Sequence, residues 1–365
     1  MYKKKREVSK ILIFLLIIIA FAVLIFVLKT TKKEDAIDAS IKLGGEWFLK
    51  NQDENFVVYE YDLNEGRLYT RHVLREMAGL WSVTELRDYT RDPKYEQLEM
   101  RGFEYFKKFI IEDLNKNTMV VNITPGDNKI SYSAFMILAI SNMNINEKNK
   151  YLEMLGNGLL LQQMDDGSLK NYFDSDKNSG IDYYPGESLL ALMTLYETTG
   201  NAKYLESVKK AFPYYEDYWK KNKNTAFVPW HSRAYYKLYK ETKNNEVSDF
   251  VFEMNDWMIE YHKPSNNCTE FNFSRGIVTA VYMEGMNKAY ELAKEKGDQN
   301  RMICYGNFVK AGAEAIIALQ VSNTHENRKE AIGGFRGDIN SNTLRIDRNQ
   351  HAVMALMEAK TAGIL

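Results

Sequence analysis

Residues 183–205 read YYPGESLLALMTLYETTGNAKYL, and this stretch decides the fold. Pro185 and Gly186 close a loop, Glu187 enters the first turn of a helix, and an apolar run beginning Ser188-Leu189-Leu190 continues it. Gly200 and Asn201 interrupt the pattern for two residues before a new helical period starts at Ala202. Helices joined by so short a turn lie antiparallel, as a hairpin.

The same unit recurs along the chain. Segments with helical periodicity run from Asp35 to Asn51, His72 to Tyr89, Pro93 to Asp113, Ser131 to Asn142, Asn146 to Gln163, Glu187 to Thr199, and Ala202 to Lys220. Pro229 to Thr242, Glu246 to His262, Arg275 to Lys296, Gln299 to Gln320 and Asn349 to Ala362 follow. Strand-like alternation is nearly absent, so an all-α chain is expected. Short breaks, as at Arg91–Asp92, Gly200–Asn201 and Gly297–Asp298, alternate with long ones, as at Gln52–Arg71, Met164–Gly186 and Val321–Arg348. Hairpins with short turns at one end and long loops at the other describe either a closed ring or an open solenoid. The expectation is the closed form, an (α/α)6 barrel of six helical hairpins, with function at the long-loop end.

Ile11 to Leu28 carries no polar side chain and, at about 1.5 Å per residue, is just long enough to cross a bilayer. The lysines and arginine before it exceed the basic excess after it, which favours a cytoplasmic N-terminus. The expected organisation is therefore a basic N-terminus over 1–10, a transmembrane signal anchor over 11–29, and an extracytoplasmic toroid over 30–365. The apolar run exceeds a usual signal-peptide core and no A-x-A cleavage site follows. A single-pass protein of the cell membrane is expected.

With 48 basic and 49 acidic groups and no long basic face, nucleic acid is not an expected partner. Cys268 and Cys304 stand in no metal-ligand spacing, so no metal or other cofactor is expected, and whether the two pair is left open.

Three helix ends share a pattern: Phe48-Leu49-Lys50-Asn51-Gln52, Leu159-Leu160-Leu161-Gln162-Gln163 and Ile316-Ile317-Ala318-Leu319-Gln320. The second continues into Asp165-Asp166-Gly167-Ser168-Leu169, and the third delays its turn to Gly333-Gly334-Phe335. This resembles the LLxxQxxDGxF unit of terpenoid-cyclase and prenyltransferase toroids and of six-hairpin glycosidases. The segment YYPGESLLAL likewise resembles inner-helix starts of bacterial six-hairpin toroids. The resemblance implies the toroid and, through the glycosidases, a carbohydrate-active enzyme.

If long loops feed inner helices, six helix starts converge on one mouth. They offer His72 and Arg75, Tyr132, Tyr183 with Tyr184 and Glu187, Trp230 with His231, and Arg345, Asp347 and His351. Three of the five histidines of the chain fall at these starts, and histidine moves protons near neutral pH. Hydrolysis of a glycosidic bond would draw its two carboxyl groups from Asp166, Glu187 and Asp347. Elimination or epimerisation would instead use His231 and His351. N-acylglucosamine 2-epimerases, which share such a barrel and use histidines, offer the analogy. Each candidate has a plainer role: Glu187 as a helix cap, Asp166 as a turn residue, Asp347 as a partner of Arg345, the aromatics as core. Arg336 and Arg345, in the last long loop, could clamp an acidic sugar.

The expectation is thus a glycoside hydrolase acting on a cell-wall, capsule or exopolysaccharide glycan. A polysaccharide lyase or sugar epimerase in the same barrel is the second reading, and a non-catalytic glycan-binding or assembly module the third. Prenyl-chain chemistry is disfavoured because no DxDD run is present.

Overall fold

Inner and outer helices differ in composition as their places demand. The segment Ile130–Asn142 buries every residue from Ile130 to Ile140, as a helix that is apolar all round must. Ala202–Lys221 instead buries one stripe, including Tyr204, Val208, Tyr215 and Trp219, and leaves Lys209 and Lys220 in water.

The computed structural model describes residues 36–263, 268–273, 276–323 and 328–365. Among these, twelve α-helices follow in order: α1 (36–50), α2 (Val73–Thr90), α3 (Lys94–Phe106), α4 (Ile130–Asn142), α5 (Lys148–Leu160), α6 (Tyr184–Thr199), α7 (Ala202–Lys221), α8 (Phe227–Thr242), α9 (Asn245–His262), α10 (Val278–Lys296), α11 (Gln299–Ile317) and α12 (Ile346–Thr361). Helices α2, α4, α6, α8, α10 and α12 pack each on the next, and α12 packs back on α2, so the ring is closed. Helices α3, α5, α7, α9 and α11 each cover the inner helix that precedes them. The structure is the (α/α)6 barrel expected, mostly helical rather than all-α, and the open solenoid is excluded. Arg91, Gly200, Lys243 and Gly297 end α2, α6, α8 and α10 in left-handed conformation, which turns the chain sharply into the outer helix.

Two of the three repeated glutamines are structural ties, while Gln52 donates to Leu49 at the end of its own helix. Gln163 Nε2 donates to the carbonyls of Gly167 in its own loop and Ser207 on α7, at 3.2 and 2.8 Å. Gln320 Nε2 donates in the same manner to Gly333 and to Ser40 on α1, at 3.0 and 2.9 Å. Each thus sews a loop to the next outer helix.

Helix α3 stops at Phe106, short of the Asp113 expected from periodicity, because Ile110–Asp113 (β1) pairs antiparallel with Thr118–Val121 (β2) across a turn with Asn117 at positive φ. At the mouth, Glu60–Asp62 (β3) lies between Gly66–Leu68 (β4) and Thr343–Arg345 (β5). The pairing of Glu60 with Arg345 joins the first long loop to the last and sets the start of α12 beside Tyr59. Cys268 and Cys304 form a disulfide that fastens the loop before α10 to α11.

The expected anchor, residues 11–29, lies outside the described residues, as does the basic N-terminus. Among the described residues no helix is long and apolar enough to cross a membrane. The placement as a single-pass membrane protein with an extracytoplasmic domain therefore finds no support in the structure and is withdrawn.

Candidate active site

All six inner helices begin at the same end, and there they enclose a cavity of about 470 Å³. His72 and Arg75 from α2, Tyr184 and Glu187 from α6, Trp230 from α8, Tyr282 from α10, and Asp347 and His351 from α12 line it, with Tyr183 at the rim. Trp230 and Phe135 meet edge to face at 5.8 Å and form an apolar floor.

Glu187 is 5% exposed and its Oε2 has no hydrogen-bond partner. Burial pushes its carboxyl up to about 7, against the opposing pull of Ser131 and of His351. It is therefore a group that can hold or release a proton near neutrality.

His351 stands one helical turn after Asp347 on the cavity side of α12. Its Nδ1 lies 2.9 Å from Oε1 of Glu284, which is wholly buried on α10. A carboxylate can only accept, so Nδ1 carries the proton and the Nε2 lone pair is left for the cavity. The Gln350 amide, 3.3 Å from the same nitrogen, faces a donor already used.

Asp347 is held differently. Burial pushes its carboxyl up, but the guanidinium groups of Arg75 and Arg345 outweigh this and keep it below the usual carboxylate range. Arg345 binds both its oxygens, at 3.1 and 2.8 Å, and Arg75 Nε approaches to 3.3 Å. Arg75 also donates to the Tyr59 hydroxyl at 2.5 Å. His72, beside them, is kept neutral by burial and by the charge of Arg75, both of which lower its pKa.

Four expected site residues lie elsewhere, and Arg345 reaches the site only through Asp347. His231 is fully buried behind the wall, stacked on Phe227 with ring centroids 3.4 Å apart. Burial pushes it down to about 3, despite its bond to the Phe227 carbonyl, so it stays neutral and structural. Its position on α8 turns it toward Tyr215 of the outer layer rather than inward. Asp166 sits exposed in a turn, where Oδ1 accepts from the Ser168 amide and hydroxyl. The Asp-Asp-Gly run is thus a turn at the long-loop end, packed outward against Lys210 and Ala211 of α7, and it lines no part of the cavity. Tyr132 packs with Lys129 over its ring at 5.6 Å and does not line the cavity. Arg336 bridges through its backbone to Leu344 and lines no part of the cavity, and Arg345 is committed to Asp347. The expected pair, Arg336 and Arg345, is therefore not placed in the cavity to clamp an acidic sugar.

Glu284 was not among the helix-start candidates, because it lies in the second turn of α10. The available signal was a lone carboxylate amid Val281-Tyr282-Met283 and Gly285-Met286, on a helix that the barrel must bury. Among the described residues no cluster of His, Cys, Asp or Glu is placed to hold a metal ion.

A larger cavity, of about 700 Å³, opens at the opposite end. Several of its charges form ion pairs, Lys237 with Glu197, Lys288 with Glu291 and Arg233 with Glu358. Burial lowers the pKa of Lys237 there, against the pull of Glu197, and no histidine lines this cavity.

No protein-family model matches the chain, and no curated protein matches it in sequence. Solved structures do share its fold. An α-1,6-mannanase from Salegentibacter sp. superposes with a TM-score of 0.64 at 12% identity, over 89% of this chain and 99% of that one. A sugar epimerase from a ruminal bacterium gives 0.64 at 14% identity, over 90% and 98%. A D-mannose isomerase gives 0.63 at 14%, over 89% and 97%. At such identities the likeness shows the (α/α)6 fold, and function must be argued from the site.

Proposed function

We propose that this protein is a carbohydrate-active enzyme that transfers a proton within a neutral sugar, as an epimerase or isomerase does, with His351 and Glu187 as the proton-handling pair. The observation that carries this reading is the buried Glu284–His351 contact at 2.9 Å, which leaves Nε2 on the cavity side opposite Glu187. His351 Nε2 takes the proton from the carbon beside the sugar carbonyl, giving an enediolate. Protonated Glu187 supplies the proton that neutralises the carbonyl oxygen. Return of the proton from His351 to the neighbouring carbon, with the adjacent hydroxyl giving its proton to the Glu187 carboxylate, yields the ketose; the epimer follows when the enediol turns its other face to His351 before the carbon is reprotonated and the oxygen's proton goes back to Glu187. Atoms and electrons balance without an external redox partner.

A neutral substrate suits the cavity because Asp347 engages both Arg75 and Arg345, leaving neither free for an anionic group, and burial and Arg75 lower the pKa of His72. Their outward-facing donors and acceptors would bind hydroxyl groups, and Trp230 with Tyr183 would cover the apolar face of a sugar ring. The fold neighbours that act on or bind sugars, including a mannanase variant in complex with α-1,6-mannotriose, are consistent with this class.

Glycoside hydrolysis is the second reading, favoured by the opposite shifts of Glu187 and Asp347, one carboxyl raised and one lowered. Against it, the two arginines on Asp347 make it a weak base. A polysaccharide lyase loses the arginine clamp on which an acidic substrate would depend. A binding module has no use for a buried carboxyl with one unpartnered oxygen in the same cavity as an oriented imidazole. Incubation with neutral aldoses, ketoses and oligosaccharides, followed by mass and NMR, separates the readings. Products of unchanged mass support proton transfer, products with added water support hydrolysis, and binding without product would leave only the module.

A further inference from the structure

We infer that Arg233, on the far side of the barrel floor, is the positioning residue that sets the tautomer of His351 through Glu284. This rests on the proposed role of His351, and its structural part can be tested apart from that role. Glu284 uses both oxygens: Oε1 meets His351 Nδ1 at 2.9 Å, and Oε2 accepts from Arg233 Nη1 at 2.9 Å. Arg233 Nη2 in turn donates to Glu358 Oε1 at 2.7 Å. The guanidinium lies 4.7 Å from the Trp81 ring centroid and 5.7 Å from that of Trp230, so its plane is fixed from two sides. Arg233 and Glu358 line the opposite cavity. A continuous polar chain, His351–Glu284–Arg233–Glu358, therefore runs from one cavity to the other.

The chain decides which ring nitrogen of His351 is free. With Arg233 in place Glu284 remains a carboxylate and must accept from Nδ1–H. Without that cation a fully buried carboxylate is uncompensated and takes up a proton rather than stay charged. The resulting carboxylic acid donates to Nδ1, the proton of the ring moves to Nε2, and the lone pair leaves the cavity. Arg233 thus controls the base while touching neither the cavity nor a substrate in it.

The test is a nitrogen-15 NMR reading of the imidazole tautomers, with His351 assigned by loss of its signals in His351→Asn. Wild type is expected to show the Nδ1–H form. Arg233→Gln is expected to convert His351 to the Nε2–H form, and Arg233→Lys, which keeps a cation beside Glu284, to retain the wild-type form. Millimolar guanidinium, entering through the opposite cavity, is expected to restore the Nδ1–H form to Arg233→Ala. A folded Arg233→Gln protein with the wild-type tautomer would overturn the inference. So would a folded Arg233→Lys protein that has lost it, which keeps the test decisive if the glutamine variant does not fold. On a sugar substrate, Arg233→Gln should lower kcat roughly 10²-fold with little change in KM. A tautomer that changes while turnover does not would refute the proposed function and leave the positioning role standing.

Discussion

Replacing Glu187 by glutamine should make the protein progressively more stable than wild type as the pH rises. The reasoning starts from burial: the carboxyl is raised from 4.5 to about 7 in the fold. The folded chain therefore holds this proton more tightly than the unfolded chain, and the resulting stabilisation is complete below about pH 4.5. It is lost as the pH climbs through 7, where the buried group must ionise. A rise of this size corresponds to roughly 3 kcal/mol. Glutamine keeps the shape and never ionises, so the difference in unfolding free energy between variant and wild type should grow by about 3 kcal/mol between pH 4.5 and 8.5. Glu99, which burial also raises to about 7 despite Arg87, changes equally in both proteins and cancels. Urea unfolding followed by circular dichroism at a series of pH values measures the difference directly. Parallel pH profiles for the two proteins would refute the claim that Glu187 is a proton-holding group near neutrality.

Other perturbations test other parts of the site. His231 titrates low in the fold, so its contribution is complete above about pH 6.5 and is lost as the pH falls toward 3; His231→Phe should flatten the fall in melting temperature between pH 7 and pH 4, and an unchanged fall would show that the ring is not buried neutral. Asp347→Asn releases Arg75 and Arg345 and should let the cavity bind a uronate that wild type rejects, a gain that calorimetry would detect and whose absence would contradict the pairing. Asp166→Asn should leave turnover within about twofold of wild type, because the side chain serves only its own turn; a large loss would return it to the site.

The fold was legible because burial writes itself into composition. An inner helix such as α4 is apolar on all sides, an outer one such as α7 only on a stripe, and Gly200 marks the turn between such neighbours. Ring closure was not legible, since the contact of α12 with α2 joins the two ends of the chain and leaves no local mark. The residues Lys107 to Val121 defeated periodicity because a short hairpin with isoleucines and valines continues the apolar rhythm of the helix before it. Convergence of helix starts brings His72, Arg75, Glu187, Asp347 and His351 to one cavity. It failed for His231, because adjacent residues on a helix point about 100° apart, so Trp230 faces the cavity while its neighbour faces the outer layer. It missed Glu284, whose partners come from other helices and whose role exists only once the barrel is assembled.

The most direct measurement is solvent-proton exchange. Wild type and His351→Asn would be incubated in heavy water with neutral aldohexoses and ketohexoses, and deuterium at the carbon beside the carbonyl followed by NMR. The expected result is deuterium entering at that carbon with wild type and a rate lower by roughly 10² to 10⁴ in the variant. Equal exchange by the two proteins, or new reducing ends from an oligosaccharide with no exchange at carbon, would contradict the assignment of His351 as the base.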